Sequence, residues 1–132
     1  MTTLTTLVSG HPTALREAAI ANLIEPGVST ALLLEGLSDG VDRFVDQTPA
    51  AISISRIAPG CLCCTGNLTM VVSLNRLLRL RPARLFISIA TDTHRSKIEE
   101  LLSAPPYDAW LSMTPTLEVG TASPAAKQAT GA

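Results

Sequence analysis

All three cysteines of this 132-residue chain fall within four positions, in Pro59-Gly60-Cys61-Leu62-Cys63-Cys64-Thr65. An odd number of thiols cannot complete an intramolecular disulfide framework, and thiolates this close together suit zinc, another soft transition metal, or thiol redox chemistry. Three thiolates are one ligand short of a closed tetrahedral zinc site. The adjacent pair Cys63 and Cys64 would point apart in an extended chain, so a metal site needs a turn there and a further donor. His11, His94, Glu35 or a second subunit can supply that donor. The redox reading is weaker, because no flanking Lys or His lowers a thiol pKa. Packing is the plain alternative, since buried cysteine behaves as a small hydrophobe.

Other chemistry-bearing residues read more simply. His94, between Asp92 and Arg95, suits a solvated helix start, and Glu99-Glu100 an exposed helix face. Arg76, Arg79, Arg81 and Arg84 form a local basic run, which cations offsetting the dipole at a helix end explain. The net charge of -1 and pI near 6.1 argue against a nucleic-acid or anionic-membrane surface. No basic segment followed by an apolar stretch opens the chain, and no apolar run approaches a membrane span, so the expected compartment is a reducing cytoplasm.

The elements that must hold these residues alternate between strand and helix. Residues 3–8 read as a first strand, 10–13 as a loop, and the next stretch as a helix to about residue 24 with Leu15, Ala19, Leu23 and Ile24 as its apolar stripe. Residues 29–35 carry the continuous run Ala31-Leu32-Leu33-Leu34, expected of a strand covered on both faces. Residues 51–57 form a third strand leading straight into the cysteines. A helix capped by Asn67 follows, with Leu68, Val71, Val72, Leu74, Leu77 and Leu78 as its apolar face. Residues 84–91 make a fourth strand, Ile98, Leu101 and Leu102 mark a short helix, and 109–113 make a last strand. The composition, 46% hydrophobic and 16% charged, supports one globular domain over 1–113. Residues 114–132, rich in Thr, Ala, Ser, Gly and Pro, read as a disordered tail. Such alternation predicts an α/β fold, a mostly parallel sheet with helices on both faces. Ligands of such sheets bind beyond the carboxyl ends of the strands, where His11 and the cysteine loop would share an edge.

A strand, a glycine loop, a helix, and then Gly60-Cys61-Leu62-Cys63-Cys64 after a later strand resemble the G domain of the CobW family. The resemblance spans residues 3–113 and implies a shortened P-loop NTPase-like, three-layer α/β/α fold, with links to GTP hydrolysis, metal trafficking and cobalamin synthesis. It also puts Glu35 where such proteins carry a switch-region acid. The nucleotide machinery is degenerate. A phosphate loop needs G-x-x-x-x-G-K-[ST], whose glycines admit the phosphates, whose Lys neutralises them and whose hydroxyl holds magnesium. Counting from Gly10, Leu15 replaces the second glycine, Arg16 the lysine and Glu17 the hydroxyl, while Pro12 removes an amide donor. Gly10 and Arg16 are what remains of a phosphate site. Ser88-Ile89-Ala90-Thr91 replaces the acidic Glu-Thr-Thr-Gly-like segment, and no Asn-Lys-x-Asp guanine-recognition motif is present.

The sequence thus points away from GTP binding and from a catalytic role. It points to a degenerate CobW-like domain acting as a binding or assembly protein, with zinc or another transition metal at Cys61, Cys63 and Cys64, joined by His11 or Glu35. The alternatives are a nucleotide-binding GTPase of metal homeostasis or cobalamin synthesis, and a structural domain with inert cysteines that buries a protein partner or a second copy of itself.

Overall fold

The computed structural model describes residues 2–36, 44, 52–57, 68–90 and 95–120. Its elements run in the order β1 (Thr3–His11), α1 (Thr13–Leu23), β2 (Thr30–Glu35), β3 (Ile52–Ile57), α2 (Leu68–Leu78), β4 (Arg84–Ile89), α3 (Arg95–Ser103), α4 (Tyr107–Trp110), β5 (Leu111–Met113) and β6 (Leu117–Gly120). The strands form one sheet in the order β3-β2-β4-β1-β5, with β6 also on β1. Among the described residues every strand pairing is parallel.

Side chains alternate across a strand, so the leucine run of β2 feeds two cores. Ala31 and Leu33 join Leu7, Leu85, Ile87 and Ile89 beneath Met70, Leu74 and Leu77 of α2 and Ile98 and Leu102 of α3. Leu32 and Leu34 join Val8 and Phe86 beneath Ile20 of α1, together with Ile24 just beyond its end. Each of these leucines is fully buried, a contribution of about 1.5–3 kcal/mol apiece. The result is a three-layer α/β/α fold with P-loop NTPase-like topology: the strand and helix pattern predicts the parallel sheet with helices on both faces, and the resemblance to the CobW family implies the rest.

Four details depart from the sequence reading. First, β1 continues through Gly10 to His11 and α1 begins at Thr13, so the expected loop at 10–13 shrinks to Pro12. Second, of the apolar stripe expected on α1, Ile24 just beyond its end is buried and Ala19 half-buried, but the two leucines are not. Leu15 is 46% exposed and Leu23 is also exposed, whereas Arg16, Glu17 and Ile20 are buried. Third, the last strand is shorter than expected, because Tyr107–Trp110 is helical before β5 starts at Leu111. Fourth, Leu117–Gly120, inside the stretch expected to be a tail, forms β6, which pairs with the end of β1, Val8 opposite Leu117 through His11 opposite Gly120. Between Thr5 opposite Met113 and Val8 opposite Leu117 the register slips by one residue. The slip falls around Pro115, which has no N–H to give a ladder. Of the basic run, one member fits the helix-end reading and another belongs to a strand. Arg76 lies in the last turn of α2, while Arg84 belongs to β4 and stacks 4.5 Å from the centre of the Phe86 ring.

Candidate functional site

At the carboxyl edge of the sheet, β1, β2 and β4 end beside the first turn of α1. Gly10 there has φ +127°, and a Cβ on it would lie 2.0 Å from the carbonyl oxygen of Val119 in β6. Only glycine fits, because the neighbouring backbone occupies the space a side chain needs. Gly36, directly after β2, has φ +121°, and a Cβ on it would meet the Thr13 hydroxyl oxygen at 2.8 Å. The start of α1 is therefore packed onto the end of β2, and β6 onto the end of β1. The carbonyl of Pro12 accepts the amides of Leu15 and Arg16, leaving no open loop between strand and helix.

Arg16 fills this junction. Its side chain has no exposed surface. Nε donates to Ser88 Oγ at 2.6 Å, Nη1 to the carbonyl of Gly10, and Nη2 to the carbonyl of Glu35 at 2.7 Å and to Thr13 Oγ1 at 3.2 Å. The planar guanidinium thus ties the ends of β1, β2 and β4 to the start of α1. Burial pulls its pKa below the ordinary arginine value, opposed by the nearby charges of Glu35 and then Glu17. It remains a cation, since guanidinium is not deprotonated in proteins.

Glu17, where a magnesium-binding hydroxyl would stand, is 2% exposed and bonded by both oxygens to Arg56 of β3, at 2.7 Å and 3.2 Å. Glu35 is equally buried, and its Oε1 accepts the amide of Ala90 at 2.7 Å. The amide of Gly36 donates to the carbonyl of Ile57 at 2.9 Å. Adjacent residues of α1 therefore reach four strands, Arg16 three of them and Glu17 the fourth.

The cysteine motif lies outside the described residues, as do Asn67 and His94. Its approach is defined, since β3 ends at Ile57 and α2 begins at Leu68. Ile57 pairs with Glu35. His11 ends β1, and in the order β3-β2-β4-β1 that strand is three steps from β3, about 14 Å. The topology therefore puts Glu35 much nearer than His11 to the start of the cysteine loop. Among the described residues no group of three or more His, Cys, Asp or Glu could hold a metal ion. No described helix is long and apolar enough to cross a membrane.

Sequence reasoning singled out Gly10, Arg16 and Glu35 but not Arg56, Ser88 or Thr13. The available signal was the pair Arg16-Glu17 at a helix start, two charges on a face that must meet the sheet. Arg56 and Ser88 supply matching partners on two strands.

No family model and no solved structure matches the chain. Among curated proteins, the zinc chaperone YeiR of Escherichia coli (strain K12) is 32% identical over 120 residues, 87% of this chain and 36% of that protein. The chain is homologous to a CobW-like zinc chaperone. The chain spans little more than a third of the length of this relative.

Proposed function

We propose that this CobW-like chain binds zinc, or another thiophilic transition-metal ion, as cargo through Cys61, Cys63 and Cys64 with Glu35 as the fourth donor, and that it does so without a nucleotide. The observation that carries this reading is the position of Glu35, buried at the end of β2 in register with Ile57, from which the chain runs on to the cysteines. Three thiolates and a carboxylate form a donor set that zinc accepts in tetrahedral geometry. The thiols must lose their protons to bind, so affinity should rise with pH. Homology to a zinc chaperone supports the same chemistry.

The nucleotide-free part of the reading rests on Arg16 and Glu17. A phosphate-loop lysine must offer its charge to a ligand. Arg16 spends its donors on protein acceptors, and Glu17 puts a carboxylate where magnesium would need a hydroxyl. Phosphoryl transfer depends on positioned charges that are turned inward here, which supports a binding or assembly role over hydrolysis.

Native mass spectrometry of reduced, tag-free protein, with zinc and separately with magnesium-GTP, tests both parts. The expected spectrum shows one zinc per chain and no nucleotide, and the zinc is lost when all three cysteines are changed to serine. Equal zinc affinity in the triple-serine protein would refute the ligand assignment. Micromolar binding of magnesium-GTP in a calorimetric titration would refute the nucleotide-free reading.

A further inference from the structure

We infer that Arg16 is a positioning residue for Glu35, holding the end of β2 so that the Glu35 carboxylate is presented in one orientation without help from a nucleotide. The inference rests on the metal-binding reading above and adds a role for a residue that touches no metal. Its basis is a closed circuit of hydrogen bonds. Arg16 Nη2 holds the Glu35 carbonyl, the Glu35 carboxylate accepts the Ala90 amide, and Ser88, two residues before Ala90 on the same stretch of chain, accepts from Arg16 Nε. Both ends of Glu35, backbone and carboxylate, are therefore fixed relative to one rigid guanidinium. Thr13 extends the circuit to Gly36, whose Cα faces the hydroxyl that also accepts from Arg16.

The chemistry requires arginine. Four acceptors lie around the guanidinium, from two carbonyls and two hydroxyls, and its nitrogens lie in one plane with fixed directions. A lysine ammonium is a single point with three donors and cannot reach the same set. In a phosphate loop the equivalent cation serves a ligand that arrives and leaves. Here its partners are parts of the chain, so the end of β2 stays set whether or not a nucleotide is present.

Backbone hydrogen exchange and cobalt(II) titration of the full chain test this together. The amides of Ala90 and Gly36 report the circuit directly, since the first binds the Glu35 carboxylate and the second the Ile57 carbonyl. In Arg16→Met, exchange at both amides should accelerate about tenfold or more relative to Leu33 and Ile87 in the core. Cobalt affinity should fall roughly tenfold and the visible d–d bands should shift, because a charged hydrogen bond to the ligand's own backbone has been lost. Arg16→Lys should recover part of both effects. Ser88→Ala removes one bond and should move both readouts less, in the same direction; it decides the question if Arg16→Met does not fold. Unchanged exchange at Ala90 and Gly36, or an unchanged cobalt spectrum and affinity, in a folded Arg16→Met or Ser88→Ala protein would overturn the inference. A parent protein that binds no cobalt would overturn the metal reading alone, and the exchange measurement would still decide whether Arg16 holds Glu35.

Discussion

Removing either partner of the Glu17–Arg56 pair should cost very different amounts. Glu17 is 2% exposed and Arg56 30%, so the carboxylate depends on the pair far more than the guanidinium does. Glu17→Gln keeps the side-chain volume and frees an arginine that can turn to water, which should cost about 1 kcal/mol. Arg56→Met keeps the aliphatic stem but leaves the buried carboxylate without its two-bond guanidinium. Loss of a partner from a buried charge costs about 3–5 kcal/mol when both members are enclosed. Because Arg56 is partly in water, about 2–3 kcal/mol is expected here. The double variant should then cost less than the two singles together, with a coupling energy of about 1–2 kcal/mol. Urea unfolding followed by the fluorescence of Trp110, the only tryptophan, gives all four stabilities from one probe. That residue packs edge-on against Tyr107 in α4, and a coincident far-ultraviolet circular-dichroism transition would show that its signal reports global unfolding. Unchanged slopes against urea would show that the compared states are the same. The reasoning fails if Glu17→Gln costs as much as Arg56→Met, or if the coupling energy is below about 0.3 kcal/mol.

Gly10→Ala should destabilise the chain by about 3 kcal/mol or more and release β6 from β1, seen as a lower thermal midpoint and faster exchange of the residue 117–120 amides, because a Cβ would strike the Val119 carbonyl. Ile20→Ala should cost about 2–5 kcal/mol while Leu15→Ala stays within about 0.5 kcal/mol; the reverse order would mean that α1 turns its apolar stripe inward after all. Combining Leu15→Gly, Arg16→Lys and Glu17→Thr should not restore GTP binding, since β1 still runs to His11 against β6; micromolar affinity by calorimetry would show that residue identity alone was the obstacle. Burial raises the Tyr107 phenol above its usual pKa near 10, and the phenol donates a hydrogen bond to Asn75 Oδ1 at 2.7 Å that only its protonated form can make. The folded state therefore keeps a proton that the unfolded chain gives up, and stability should fall as pH rises from about 10 towards the folded-state value, a slope that Tyr107→Phe should flatten.

Much of the layer structure was legible because it depends on apolar patterning. The unbroken Ala31-Leu32-Leu33-Leu34 is what a strand with two covered faces is expected to show, and both cores meet there. The orientation of α1 was not legible for the same reason. Apolar periodicity assigned Leu15 and Leu23 to the interior, whereas the buried face is set by polar bonds from Arg16 and Glu17 to partners on strands far away in sequence. β6 escaped notice because Leu117 and Val119 are too few to stand out among threonines and prolines, and its pairing is supplied by the overhanging end of β1. At the site, Glu35 and the degenerate positions could be named from motif spacing. That Arg16 is enclosed could not, since a cation at such a position reads equally well as a ligand for phosphate.

The fit of Gly10 against Val119 bears on how diverged sequences are interpreted. A glycine inherited from a phosphate loop is commonly taken as a trace of nucleotide recognition. In this chain steric necessity holds it in place: whether or not a phosphate is admitted, a methyl group would collide with the neighbouring strand. Selection acting through this contact would preserve the glycine whether or not a nucleotide binds, just as their buried bonds constrain Arg16 and Glu17. The first glycine of this chain is therefore a requirement of sheet closure, so its presence says nothing by itself about a nucleotide, and the inward-turned Arg16 and Glu17 are the more telling residues.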